Sequence, residues 1–235
     1  VGLDLYVGSL TRYLAGDWEL ITQRIAREIG LEMEVVRLHD PEGAIRDQGL
    51  IRPVVVAWRD QLSAALGDRL DIPLNWNEGE NAPYFTDKPT WDCYSDLILW
   101  AAYEEQQGLL RPEGPVEDWS QDIAYQSVTS KEFRSKYSHL YDVQLWLPCP
   151  FDCVFETEDV SGDSVLVGSS VVLQDQLRTL NGLTWRYTAK ELDTIATQGA
   201  EHGAPLEVGA RFAFSIFTRL THLSVEHKLP VRMDW

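Results

Sequence analysis

The chain has 235 residues, 44% hydrophobic and 24% charged, a balance that supports a packed core and excludes a disordered polymer. Its 37 Asp and Glu against 20 Lys and Arg give a formal net charge of −17, a field that repels phosphate backbones and anionic lipid headgroups. Nucleic acid and membrane surfaces are therefore not expected partners, and no apolar run reaches the ~18–20 residues of a spanning helix.

The opening Val1-Gly2-Leu3-Asp4-Leu5-Tyr6 has no basic leader and no small-residue cleavage site. Its alternation predicts a strand over 2–9 and a cytoplasmic location. Gly16-Asp17-Trp18 is expected to open a helix with Asp17 as cap, Ile21, Ile25 and Ile29 as apolar stripe and Gly30 beyond its end. Residues 31–37 alternate again as a second strand. After a loop over 39–49, Pro53 suits the start of a helix running to Leu66. Residues 68–89 read as a long ordered loop holding Trp76, Tyr84 and Phe85. Thr90 then caps a helix to about Gln107. Its stretch Leu97–Tyr103 is apolar nearly all round, so this helix is expected to be central.

Residues 109–117 carry Pro112 and Pro115 and form a surface connection, the one place where an expected single domain over 1–235 would divide. Short helices are expected near 118–126 and 130–137, then a strand over 140–148. Residues 153–159 and 163–168 read as a hairpin turning at Ser161-Gly162-Asp163. Ser169 or Ser170 caps a helix closed by Asn181-Gly182. Thr188 and Glu191 form a capping box that leads a helix to about Glu201, and a last helix over 206–228 stops before Pro230. Strands in both halves with helices between them predict an α+β fold, a mixed sheet packed with several helices.

The motifs that carry chemistry are sparse. Cys93, Cys149 and Cys153 are an odd set without a second Cys or His pair, so they read as reduced thiols and not as a zinc site. In His222-x-x-x-Glu226-His227 the second imidazole is rotated by about 140° from the first at 3.6 residues per turn, the wrong geometry for one ion. Cys93 falls in the first turn of its helix, where backbone N–H groups favour a thiolate, but a buried Cys is the simpler reading. Asp92 with Asp96, and Glu156 with Glu158, each share a face and are capable of acid–base work or of holding a divalent ion. There is no Gly-rich phosphate loop, no G-x-S-x-G and no Walker sequence. No catalytic residue, metal ligand or cofactor is assigned.

Charge is distributed unevenly. Residues 60–122 hold fourteen Asp and Glu against Arg69, Lys88 and Arg111, a balance of −11 in a chain of −17. Aromatic residues interleave with these carboxylates, a combination suited to a basic partner: charge speeds encounter, and rings supply the desolvated contact. Trp76, Glu78, Glu80, Tyr84, Asp87, Glu104, Glu105 and Trp119 are the expected contact residues. The expected function is thus an acidic interaction protein, an inhibitor of the immunity or antitoxin type that masks a basic site on a partner such as a bacterial toxin. The alternative is a carboxylate- or metal-dependent hydrolase acting on a small molecule in a Trp-lined pocket.

Overall fold

Short strands with alternating side chains build a six-stranded mixed sheet that separates two layers of helices in a computed structural model describing residues 2–33, 46–116 and 118–234. The strands are β1 (Asp4–Val7), β2 (Phe85–Asp87), β3 (Leu145–Leu147), β4 (Phe155–Glu158), β5 (Ser164–Ser169) and β6 (Val231–Asp234). They lie in the order β2-β1-β6-β3-β5-β4, with β3 and β5 parallel and the other neighbouring pairs antiparallel. Because side chains alternate across a strand, Leu5, Val7, Trp146, Val231 and Met233 enter one core. Tyr6, Leu145, Leu147, Val165 and Val167 face the other side.

The first core lies under α4 (Trp91–Glu105), α6 (Ser170–Leu183) and α8 (Leu206–His227), with α5 (Ile123–Val128) against α4 and α7 (Ala189–Gln198) against α8. The second lies under α1 (Leu10–Ala15) and α3 (Gln48–Leu66). The architecture is α+β. Among the described residues no helix is long and apolar enough to cross a membrane.

The expected helix from Thr90, the β4–β5 hairpin, the Thr188–Glu191 capping box and the last helix are all present. Ser169 is the cap of α6, accepting the N–H of Val172. Elsewhere local chemistry decides differently. Ser9 caps α1, and Gly16 ends it with a left-handed φ of 70°, so Gly16-Asp17 closes a helix instead of opening one. The next helix, α2 (Ile21–Glu28), starts after Leu20, and its stripe faces outward, with Ile25 49% and Ile29 67% exposed. Asp47 accepts the N–H of Gly49 and starts α3 five residues before Pro53, which lies inside the helix. Residues 31–33 form no strand, and 34–37 of that expected strand lie outside the described residues, as does most of the loop 39–49. Residues 130–137 make turns and no helix, while β2 and β6 are strands that periodicity did not reveal because each is only three or four residues long.

α4 runs through the middle of the first core, with twelve of its fifteen residues buried. Its fit against α8 is close: a Cβ added to Gly209 would lie 2.0 Å from Oδ2 of Asp96, so only glycine permits this approach. Leu97, Ile98, Ala101 and Ala102 are fully buried. Leu97→Ala should destabilise the fold by about 2–5 kcal/mol, read from urea unfolding midpoints; a loss below about 1 kcal/mol would mean that α4 is not the packing centre.

Candidate functional site

The eight residues expected to contact a basic partner fall into two groups, one around α1, α3 and β2 and the other at the C-terminal end of α4. In the first group Trp76 and Glu78 are buried. The Glu78 carboxylate accepts the N–H groups of Leu10 and Thr11, each at 2.9 Å, and the Trp76 indole N–H at 2.7 Å, so it caps α1. Glu80 is exposed and pairs with Arg52 at 3.1 Å. Tyr84 lies under the Arg12 guanidinium, and Asp87 pairs with Arg219.

In the second group, buried Glu104 accepts the Tyr137 hydroxyl and pairs with Lys136, both at 2.7 Å. Glu105 accepts the hydroxyls of Ser135 and Tyr141 and the N–H of Lys136. Half-buried Trp119 packs edge-on against Tyr125. Of these carboxylates Glu78 and Glu104 are buried, Asp87 and Glu105 are partly covered, and Glu80 is exposed.

The remaining titratable pairs separate as well. Asp92 is exposed and meets His202 at 2.7 Å. His222 approaches Glu226 at 3.6 Å, whereas His227 stacks on Phe85. Glu156 and Glu158 lie on the exposed face of β4. Cys93 and Cys149 are buried free thiols, both pushed up by burial, and Cys153 is a partly covered free thiol. Among the described residues no group of three or more His, Cys, Asp or Glu side chains is placed to hold a metal ion.

The concave feature with chemistry on its walls lies elsewhere. A cleft of about 440 Å³ opens between the C-terminal half of α4, the loop after it, the end of α6 and the first turn of α8. Its walls carry Trp100, Glu104, Leu109, Arg111, Leu183, Trp185 and Glu207. The aromatic wall is a ladder. The Arg111 guanidinium lies 3.6 Å from the Trp100 ring centroid, Trp100 stacks on Trp185 at 5.0 Å and 20°, and Trp185 stacks on Tyr187 at 6.0 Å and 19°. Arg211 closes the far end, 5.8 Å from the Tyr187 ring.

Local hydrogen bonds set this ladder up. Asn181 accepts the Tyr187 N–H and donates to the Tyr187 carbonyl, both at 2.8 Å, which holds the turn after α6. Arg186 adopts a left-handed φ of 57° there, and its N–H bonds to the Asn181 carbonyl. The Trp185 indole donates to Glu207 at 3.2 Å, and Glu207 pairs with Arg211.

Two donors in this wall are unmet. The Trp100 indole nitrogen and Nε of Arg111 are buried with no hydrogen-bond partner. Burial lowers the Arg111 pKa, yet a guanidinium remains charged at any physiological pH. Trp185 and Glu207 carried no signal in the sequence. Arg111 carried a faint one, as one of three cations in the segment of fourteen acids. No protein-family model matches the chain, and no curated protein or solved structure is similar to it, so the cleft is interpreted on its own geometry.

One buried acid stands apart from the cleft. Asp96 is 9% exposed, and burial, helped by nearby Asp92, raises its carboxyl to about 7. The folded state therefore binds a proton that the unfolded chain has released above its ordinary 3.8, and stability falls as pH rises from about 4 through about 7. Asp96→Asn should flatten that fall and stabilise the protein above pH ~7, by at most about 4 kcal/mol at ~1.36 kcal/mol per pKa unit. Urea midpoints across this range check it, and parallel profiles for the two proteins would refute the assignment.

Proposed function

We propose that this protein binds a small organic molecule in the cleft bounded by Trp100, Arg111 and Trp185. The observation that carries this reading is the half-buried Arg111 guanidinium in the cleft wall, stacked on Trp100 and without an ion pair among the described residues. A guanidinium held partly out of water is seldom left without an acid partner, and a bound ligand supplies one. The cleft volume falls within the ~300–1,000 Å³ typical of ligand sites, and its mixture of apolar walls with a few polar groups matches theirs. The reading is one of binding and not of hydrolysis: Glu104 and Glu207, the carboxylates on the walls, are each held by a cation.

Leu183 is 56% exposed at the cleft edge, so Leu183→Trp fills the space without disturbing the core. Small molecules that raise the melting temperature of the wild type should lose that effect in Leu183→Trp, with the variant's own melting temperature nearly unchanged. Hits that stabilise both proteins equally would place binding elsewhere and refute the proposal.

A second reading is favoured by the net charge of −17 and by the exposed carboxylates Glu80, Glu113 and Asp118: an acidic inhibitor that covers a basic site on a partner protein. Reversing those three to Lys should slow association with such a partner at least several-fold while leaving folding intact. The wild-type on-rate should fall as the Debye length contracts from ~10 Å at 0.1 M salt to ~3 Å at 1 M. Stopped-flow association rates decide it, and a salt-independent on-rate would end this reading.

A further inference from the structure

We infer that the molecule held in this cleft is a small organic anion whose carboxylate or phosphate group is received by Arg111. The inference rests on the cleft being a ligand site and specifies what that ligand must carry. It follows from how the charged side chains of the cleft are paired. Three charged side chains line the cleft: Glu104, Arg111 and Glu207. Glu104 is already paired with Lys136, and Glu207 with Arg211. Each carboxylate thus has a cation of its own in direct contact, and Arg111, which feels Glu207 and Glu104 through space, pairs directly with neither.

Among the described residues Arg111 forms no ion pair and no hydrogen bond, although it is half-buried. Other covered guanidiniums behave differently: Arg211 holds Glu207, Arg219 holds Asp87 and Arg232 holds Asp159. In a chain with nearly twice as many acids as bases, an unmatched guanidinium away from bulk water is the exception. Stacking on Trp100 fixes the guanidinium plane while leaving its edge N–H groups to bond in that plane. A planar donor fork held in this way matches the two oxygens of a carboxylate or phosphate, and pairing with it is stronger than a neutral hydrogen bond.

The rest of the ligand follows from the remaining walls. Both faces of Trp100 are occupied, one by Arg111 and the other by Trp185, so the ligand does not stack on this ring as a cation in an aromatic cage would. Leu109 and Leu183 offer apolar contact beside the guanidinium. The fit is an amphiphilic acid with an anionic head and a short apolar body. The overall charge of −17 slows its approach but acts weakly at contact, because salt screens charges beyond ~8–10 Å.

Matched probes test this: 3-phenylpropionate, its amide, the corresponding amine and phenyl phosphate, each followed by melting temperature and tryptophan fluorescence at constant ionic strength. The acid or the phosphate ester should bind at least tenfold more tightly than the amide and the amine, and whichever of the two is tighter identifies the head group. Arg111→Gln should remove that preference, and Arg111→Lys, a point charge without the fork, should keep only part of it. If Arg111→Gln fails to fold, the wild-type comparison of acid with amide still decides. Equal binding of acid and amide, abolished by Leu183→Trp, would overturn the anionic assignment and leave the cleft reading standing. No response to either anion up to about 10 mM, tenfold above a Kd of ~1 mM, would overturn the anionic assignment outright. If Leu183→Trp also changes no probe's effect, the cleft reading falls with it.

Discussion

The burial of α4 is the constraint on which the rest of this structure depends. A helix that is apolar nearly all round has to be covered on every side: α8 and α5 pack directly against it, and it shares one apolar core with α6 and the sheet. Such a helix has no solvent stripe on which to place its polar residues, so Asp96 and Glu104 are carried into the interior with it. Each is accommodated differently. Glu104 acquires a cation and a phenol, Lys136 and Tyr137, whereas Asp96 meets the bare Cα of Gly209 and takes up a proton more readily.

The same covering accounts for much of the acidity of residues 60–122. Glu78 closes the N-terminus of α1, Asp122 caps α5 and accepts the Tyr103 hydroxyl, and Asp87 ties β2 to α8 through Arg219. A carboxylate that accepts backbone N–H groups or holds a guanidinium helps to build the fold and contributes little to a docking face. The acidic surface that remains in this segment lies at Asp60, Asp68, Asp71, Glu80, Asp92, Glu113 and Asp118 among the described residues.

The cleft exists because two helix ends leave space that the aromatic ladder frames without filling. α4 ends at Glu105 and α6 at Leu183, and the chain after each lines the cleft together with Glu207 of α8. The Asn181 clamp, the stack from Arg111 to Arg211 and the Trp185–Glu207 bond hold the wall before any ligand arrives. A site preformed in this way loses little ordering entropy on binding, and a preformed site is also better at selecting among ligands of similar shape.

The sequence by itself determined the elements whose signals are local. The Thr188–Glu191 capping box, the turn at Ser161-Gly162-Asp163, the uniform apolarity of Leu97–Tyr103 and the alternation of Leu3, Leu5 and Val7 each depend on neighbours a few residues away, and each appears in the fold. Gly16 shows the limit of that reasoning, since one left-handed residue serves to end a helix as well as to precede one, and the Ser9 cap decided between them. Glu78 looked like a charge for a partner, and the chain folds it onto α1, against Thr11 and Leu10, from 67 and 68 residues away, with the Trp76 indole bonded to it. The cleft lay wholly beyond local reading. Its walls come from residues 100–111, 183–185 and 207, and the one informative feature there, an Arg111 without an acid in direct contact, emerges only when Lys136 and Arg211 are seen to hold Glu104 and Glu207. Charge along a chain is a sum over sequence, whereas the charge that a ligand meets is a sum over space, and only the tertiary structure converts one into the other.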